Sequence, residues 1–221
     1  GGVKTPSDLL VELDIEEPDY PVLHADELPE FLNSLAPDPS FSAAERDRLV
    51  SLLADGETAI MTDGFFSRPG LWRVLRGVIA PDTTRIDSAL KKAGATRLSA
   101  VLAAHSHHDH AMDTAVVAEK TGALIVGSQS TRNIAVGAGF PDAGIRVIEG
   151  KEYFTFGRFR VRAFRSPHSI PNLIKGNITS PLQSPARATA YKCGGNYYSF
   201  LIDHDGSRVL IHPSANYSPG F

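Results

Sequence analysis

The chain has 221 residues, of which 42% are hydrophobic and 21% charged, the balance of a globular protein able to bury a sizeable core in one domain or one domain with an extension. No apolar run reaches ~18 residues, which excludes a membrane span for the chain as it stands, and a single cysteine, Cys193, excludes an internal disulfide framework and a cysteine-rich zinc site. The net charge of −3 is divided unevenly: residues 1–40 carry ten acidic side chains against one Lys, and the rest carries 21 basic against 15 acidic groups, so an acidic arm (1–40) precedes a mildly basic domain (41–221).

The arm is punctuated by prolines, with a short helical stretch over Glu27–Leu35. Ser42 and Glu45 form a capping box, and Leu49, Val50, Leu52 and Leu53 then give a helix an apolar face that Gly56 would stop. A competing reading pairs Leu52–Ala54 with Thr58–Thr62 as a hairpin across Asp55-Gly56; the helix is preferred. Strand Thr58–Thr62 ends in Asp63-Gly64, and a helix follows over Arg85–Ala93. Strand Leu98–Ala104 runs into a histidine cluster, after which come helix Thr114–Lys120, strand Ala123–Gly127 and helix Ser130–Val136. Strands Arg146–Ile148, Tyr153–Phe156, Phe159–Phe164, Tyr198–Asp203 and Arg208–His212 complete the pattern, the last two joined across Asp205-Gly206. Mixed βα units followed by antiparallel hairpins predict an α+β or layered α/β domain.

The segment His105-Ser106-His107-His108-Asp109-His110 lies between that apolar strand and a helix. Imidazole is a good zinc ligand, and a loop at a strand end can turn alternate side chains to one point. His105 and His107 share a face, while Asp109 and His110 follow where the chain turns and can face a second point. His108 reads as an outer or packing residue.

On these residues the chain resembles the metallo-β-lactamase superfamily, from about Thr58 to Tyr217. The resemblance leans toward its lactonase-like branch and implies a four-layer αββα sandwich. It implies that Asp63 supports the metal loop, that His105, His107, Asp109 and His110 are metal ligands, and that His168, in Ser166-Pro167-His168-Ser169, is the last histidine of the first site. Ser214 stands where the branch places a bridging Asp, and a neutral hydroxyl bridges two dications poorly. The C-terminal histidine of the family has no counterpart before Phe221, as if a C-terminal part were missing from the chain. His204 and His212 read as turn and strand residues. One tight zinc site and a weak second one are expected, with Mn, Fe or Ni as other occupants.

Zinc held by three histidines keeps a place for water and lowers its pKa to ~7, giving a metal-bound hydroxide that attacks a carbonyl or phosphorus. Asp109 is the candidate catalytic residue, either ligating a second ion or orienting and deprotonating the water. N–H groups of the helix from about Asp113 could help hold an anion. Phe65, Phe66, Arg68 and Lys175 are substrate-side candidates, and Ile170, Leu173, Ile174, Ile178 and Leu182 in the long loop 170–188 would make an apolar flap. The expected activity is zinc-dependent hydrolysis of a small ester, lactone or phosphoester, probed as anionic because of the basic domain. The alternatives are a non-catalytic metal-binding module of the same fold and a β-lactamase proper. No basic, aromatic-interleaved stretch points to nucleic acid. The first residue is Gly1, so the compartment stays open: soluble, cytoplasmic or exported after loss of a leader.

Overall fold

In the computed structural model, which describes residues 52–149, 153–168 and 172–213 within one compact unit, nine described strands divide between two sheets. The first sheet runs, in spatial order, β1 (Leu52–Ala54), β2 (Ala59–Thr62), β3 (Ala100–Leu102), β4 (Leu124–Gly127) and β5 (Ile145–Val147). β1 is antiparallel to β2, and the remaining neighbours are parallel. The second sheet is antiparallel throughout: β6 (Tyr153–Phe156), β7 (Phe159–Arg165), β8 (Tyr198–His204) and β9 (Ser207–Ile211). The helices are α1 (Leu71–Arg76), α2 (Thr83–Lys92), α3 (His108–Ala111), α4 (Thr114–Thr121) and α5 (Gln129–Gly137).

Period-two alternation sorts the first sheet's side chains onto two faces. Met61, Val101 and Ile125 pack with Ile86, Leu90 and Val117 of α2 and α4. Their neighbours Ile60, Leu102 and Val126 pack with Val161, Phe200 and Ile202 of the second sheet. Because both faces are covered, β3 and β4 read as unbroken apolar runs. Each such side chain contributes about 1.5–3 kcal/mol by leaving water. Within the described residues three of the expected layers are seen in order: helices, mixed sheet and antiparallel sheet.

Eight of the nine described strands and three of the helices fall close to their predicted positions. Asp82 caps α2 by accepting from the Arg85 N–H (3.1 Å), which starts that helix at Thr83 rather than Arg85. Ser128 caps α5 in the same way through Thr131 (3.1 Å). α1 and α3 were not predicted. α1 buries none of its residues, so no periodic apolar stripe marks it, and α3 is the turn made by the histidine cluster itself.

One preference is corrected. Leu52–Ala54 is a strand paired with Ala59–Thr62, the hairpin rather than the helix. Asp55 closes its turn by accepting from the Glu57 and Thr58 N–H groups (3.0 and 2.7 Å), and Gly56 takes φ 90°. The capping-box residues Ser42 and Glu45, the Glu27–Leu35 helix and the arm boundary at residue 40 lie outside the described residues.

The apolar flap is also corrected. Ile178 is buried, and Leu182 packs in the same cluster, against Ile79, Met112, Ile134 and Tyr191. α5 fastens this segment: Ser130 Oγ accepts from Ile178 N (3.0 Å), Asn133 Nδ2 donates to Ile178 O (2.6 Å), and Asn133 O accepts from Leu182 N (2.9 Å). Leu173 is 85% exposed, and Ile170 lies outside the described residues. The connection from Asn172 to Tyr197 is therefore a strap bound across the domain, because its apolar residues gain more by joining the core than by facing water.

Candidate metal centre

β2 and β3 run parallel with Thr62 opposite Leu102, so their following residues, Asp63 and Ala103-Ala104-His105, leave the sheet side by side. The second sheet is tied to the same point, since Tyr198 N donates to Ala104 O (2.8 Å) and Ser166 N to Tyr197 O (3.0 Å). That junction brings His168, just past β7, to the histidine loop. Ligand atoms of His105, His107 and His168 all lie within 4.8 Å of one another, as do those of His105, Asp109 and His110. The two groups share His105.

His105 is 1% exposed, and its Nε2 has no hydrogen-bond partner in the described structure. Its ring lies 3.8 Å from that of His110, 4.7 Å from His107 and 5.0 Å from His168, centroid to centroid. Burial, and then the neighbouring imidazoles, push its pKa far down, so it is a neutral donor. An orphaned buried nitrogen amid converging imidazoles is costly without a cation and suited to one. The donor set therefore fits a divalent metal.

Two outer contacts select the ring nitrogens. His107 Nε2 lies 2.9 Å from Ile174 O, and a carbonyl only accepts, so Nε2 carries the proton and Nδ1 keeps its lone pair. Burial lowers the His107 pKa, opposed by that carbonyl and by Asp109. His110 Nδ1 lies 2.9 Å from Asp63 Oδ2, which leaves Nε2 on the side of Asp109, 3.6 Å away. Burial alone would lower the His110 pKa, but the Asp63 carboxylate outweighs it and raises it. Asp63 Oδ1 accepts from Ala104 N (2.8 Å), so one carboxylate braces both the loop and a candidate ligand. Its φ of 45° is unusual for a non-glycine residue and is held by these bonds.

The remaining candidates are spread more widely. Asp109 is half exposed. His108 packs edge-on to Phe65 at 6.0 Å and near Tyr191 at 6.4 Å, a packing residue. Phe65 joins the cluster of Ile79, Met112 and Tyr191, whereas Phe66 packs against the helix-side core. Arg68 and Lys175 are exposed, and Lys175 follows the residue whose carbonyl holds His107. His204 pairs with Asp55 (2.9 Å) at the far hairpin, and His212 Nδ1 meets Ser199 Oγ. Ser214 lies outside the described residues.

Three contributors have roles that the sequence did not signal, although Ile174 was expected in a flap and the helix from Asp113 near an anion. Ile174 acts through its carbonyl. Tyr197 sets its ring against His168, His105 and His107 at 4.7, 5.3 and 6.2 Å. Asp113, 1% exposed, accepts from Phe66 N and Ser67 N (2.7 Å each) and from Ser67 Oγ (2.6 Å). It caps no N–H of its own helix and instead shapes the loop after Asp63. Burial pushes its carboxyl up against the pull of those donors.

No family model matches the chain. Over 88 residues it is 33% identical to the hydroxyacylglutathione hydrolases of Brucella ovis and Brucella abortus, a match that takes 40% of this chain and 32% of each relative. The chain thus spans about a third of the length of the curated relatives it matches. Two packed sheets, helices on the first and a histidine loop at a strand end agree with the metallo-β-lactamase fold expected from the sequence. Similar solved structures include a possible metal-dependent hydrolase from Veillonella parvula, with 17% identity and a TM-score of 0.47 over 76% of this chain and 61% of that one. The metallo-β-lactamase SMB-1 bound to 2-mercaptoethanesulfonate gives 16% identity and a TM-score of 0.41, over 72% and 54%. Among the described residues, no helix is long and apolar enough to cross a membrane.

Proposed function

We propose that the chain belongs to a metal-dependent hydrolase in which His105, His107 and His168 hold a catalytic zinc. The observation that carries this reading is the partnerless, buried Nε2 of His105 among donor atoms within 4.8 Å. His105, Asp109 and His110 offer a second, weaker place, since they share His105 with the first and include a half-exposed carboxylate. When bound, such a metal supplies a Lewis acid that brings the pKa of water to ~7. Asp109 is then placed to hold or pass a proton at its carboxylate, and Asp63 keeps His110 oriented. Phe65, Phe66, Arg68 and Lys175 are the substrate-side residues, the two phenylalanines being partly buried against core clusters.

The substrate class is a small ester, lactone or phosphoester with negative charge. The likeness to hydroxyacylglutathione hydrolases supports a hydrolase and adds hydroxyacylglutathione conjugates to the substrates worth testing. Metal analysis and a panel of anionic and neutral esters test the reading together. The unaltered protein should carry about one tight zinc per chain, and His105→Ala should lose it while keeping its circular dichroism. Arg68→Ala should cost about ten- to a hundredfold in kcat/KM on anionic esters and spare neutral ones. Full zinc occupancy in His105→Ala sinks the assignment. Zinc without hydrolysis of any ester would make the chain a binding module instead.

A further inference from the structure

We propose that Tyr197 is a positioning residue for the metal centre, and that the strap it fastens sets how tightly the imidazoles hold an ion. This rests on the metal reading above. The Tyr197 ring packs against three of the candidate ligands, 4.7 Å from His168, 5.3 Å from His105 and 6.2 Å from His107. The side chain is buried, and its hydroxyl is fully engaged: it donates to Cys193 O (3.1 Å) and accepts from Asn172 Nδ2. Both partners lie on the strap, one at each end.

Those two ends grip the histidine loop. Near Asn172, Ile174 O accepts from His107 Nε2 (2.9 Å) and also from Cys193 N (3.3 Å). Near Cys193, Lys192 O accepts from Ser106 Oγ (2.5 Å). Lys175 and Cys193 form a bridge that closes the ends on each other. Tyr197 thus acts twice. Its ring limits the rotation of His168 and His105, and its hydroxyl holds Cys193, whose N–H donates to the Ile174 carbonyl that orients His107. Three imidazoles converge on one point only while each ring keeps its orientation, and outer groups that enforce this typically change metal affinity 10–100-fold. Phenylalanine could supply the first action but not the second.

The experiment measures zinc affinity by competition with a chromogenic chelator, and cobalt(II) d–d absorption, in the unaltered protein and three variants. Tyr197→Leu should weaken zinc about 10–100-fold and shift the cobalt bands. Tyr197→Phe, which keeps the ring, should weaken zinc by a smaller factor and leave the bands in place. Leu173→Ser, on the exposed part of the strap, should match the unaltered protein. Zinc affinity in Tyr197→Leu within twofold of the unaltered protein, even with a lower metal-free Tm, overturns the proposal and leaves the metal reading standing. If Tyr197→Leu does not fold, Tyr197→Phe decides: equal affinity removes the hydroxyl from the argument and overturns the strap's role. Absence of zinc binding in the unaltered protein overturns the metal reading first, and this proposal with it.

Discussion

Asp55 shows how one side chain can join distant parts of a domain. Its carboxylate closes the β1–β2 turn, meets His204 Nε2 at 2.9 Å and Arg158 Nε at 3.2 Å, and so ties the first sheet to two turns of the second. The Thr58 N–H, and next the His204 ring, hold its pKa well below the usual carboxylate range. With the folded pKa depressed, the unfolded chain takes up the proton first. The stabilisation is therefore full above the ordinary carboxylate pKa of about 4 and lost as pH falls toward the folded value. Asp55→Asn should lower the Tm at pH 7, with the gap closing in melts taken from pH 4 down to pH 2. A gap that stays constant with pH would assign the effect to packing. At this scale the histidine loop was legible because His105, His107, Asp109 and His110 sit within six consecutive positions. Ile174 and Tyr197 were not, since any residue offers a carbonyl and a tyrosine ring announces no partner.

Among the elements, the strap depends on its fit to α5. An added Cβ at Gly137 would lie 2.1 Å from Leu182 O, so helix and strap approach more closely there than any side chain allows. Gly137→Ala should force them apart and cost about 1–3 kcal/mol, read from urea unfolding. Unchanged stability would mean that the strap yields freely and is not part of the packed domain. The strap was misread as a flap because isoleucines and leucines in a long loop look the same whether they face a ligand or a core. Pairing with Ser130 and Asn133, some 45 positions away, decides between the two, and no local pattern encodes it. The first hairpin was misjudged for a related reason. Asp55-Gly56 signalled a turn, but a helix-start pattern at Ser42 competed with it, and only pairing with Ala59–Thr62 resolves the contest.

For the molecule as a whole, a layered domain followed from the order of elements, βα units and then antiparallel hairpins, while the sandwich came from the resemblance; the structure covers apolar β3 and β4 on both faces. Where the two sheets meet was not legible, because the Tyr198–Ala104 bond joins main-chain atoms. That junction and the strap carry a kinetic consequence. The contacts that orient the histidine loop span 67 residues from His107 to Ile174 and 86 from Ser106 to Lys192. Loops of that length close late in folding, since their entropy must be lost before the contact is gained. A cation that needs all three imidazoles thus meets a site that exists only after the folding barrier is crossed. In stopped-flow measurements zinc should leave the refolding rate unchanged and slow unfolding instead. Faster refolding with zinc would mean that the ion organises the chain early, as a nucleus. On the expected result, the ion works as a latch on a door already shut, lengthening the lifetime of the native state without hastening its formation.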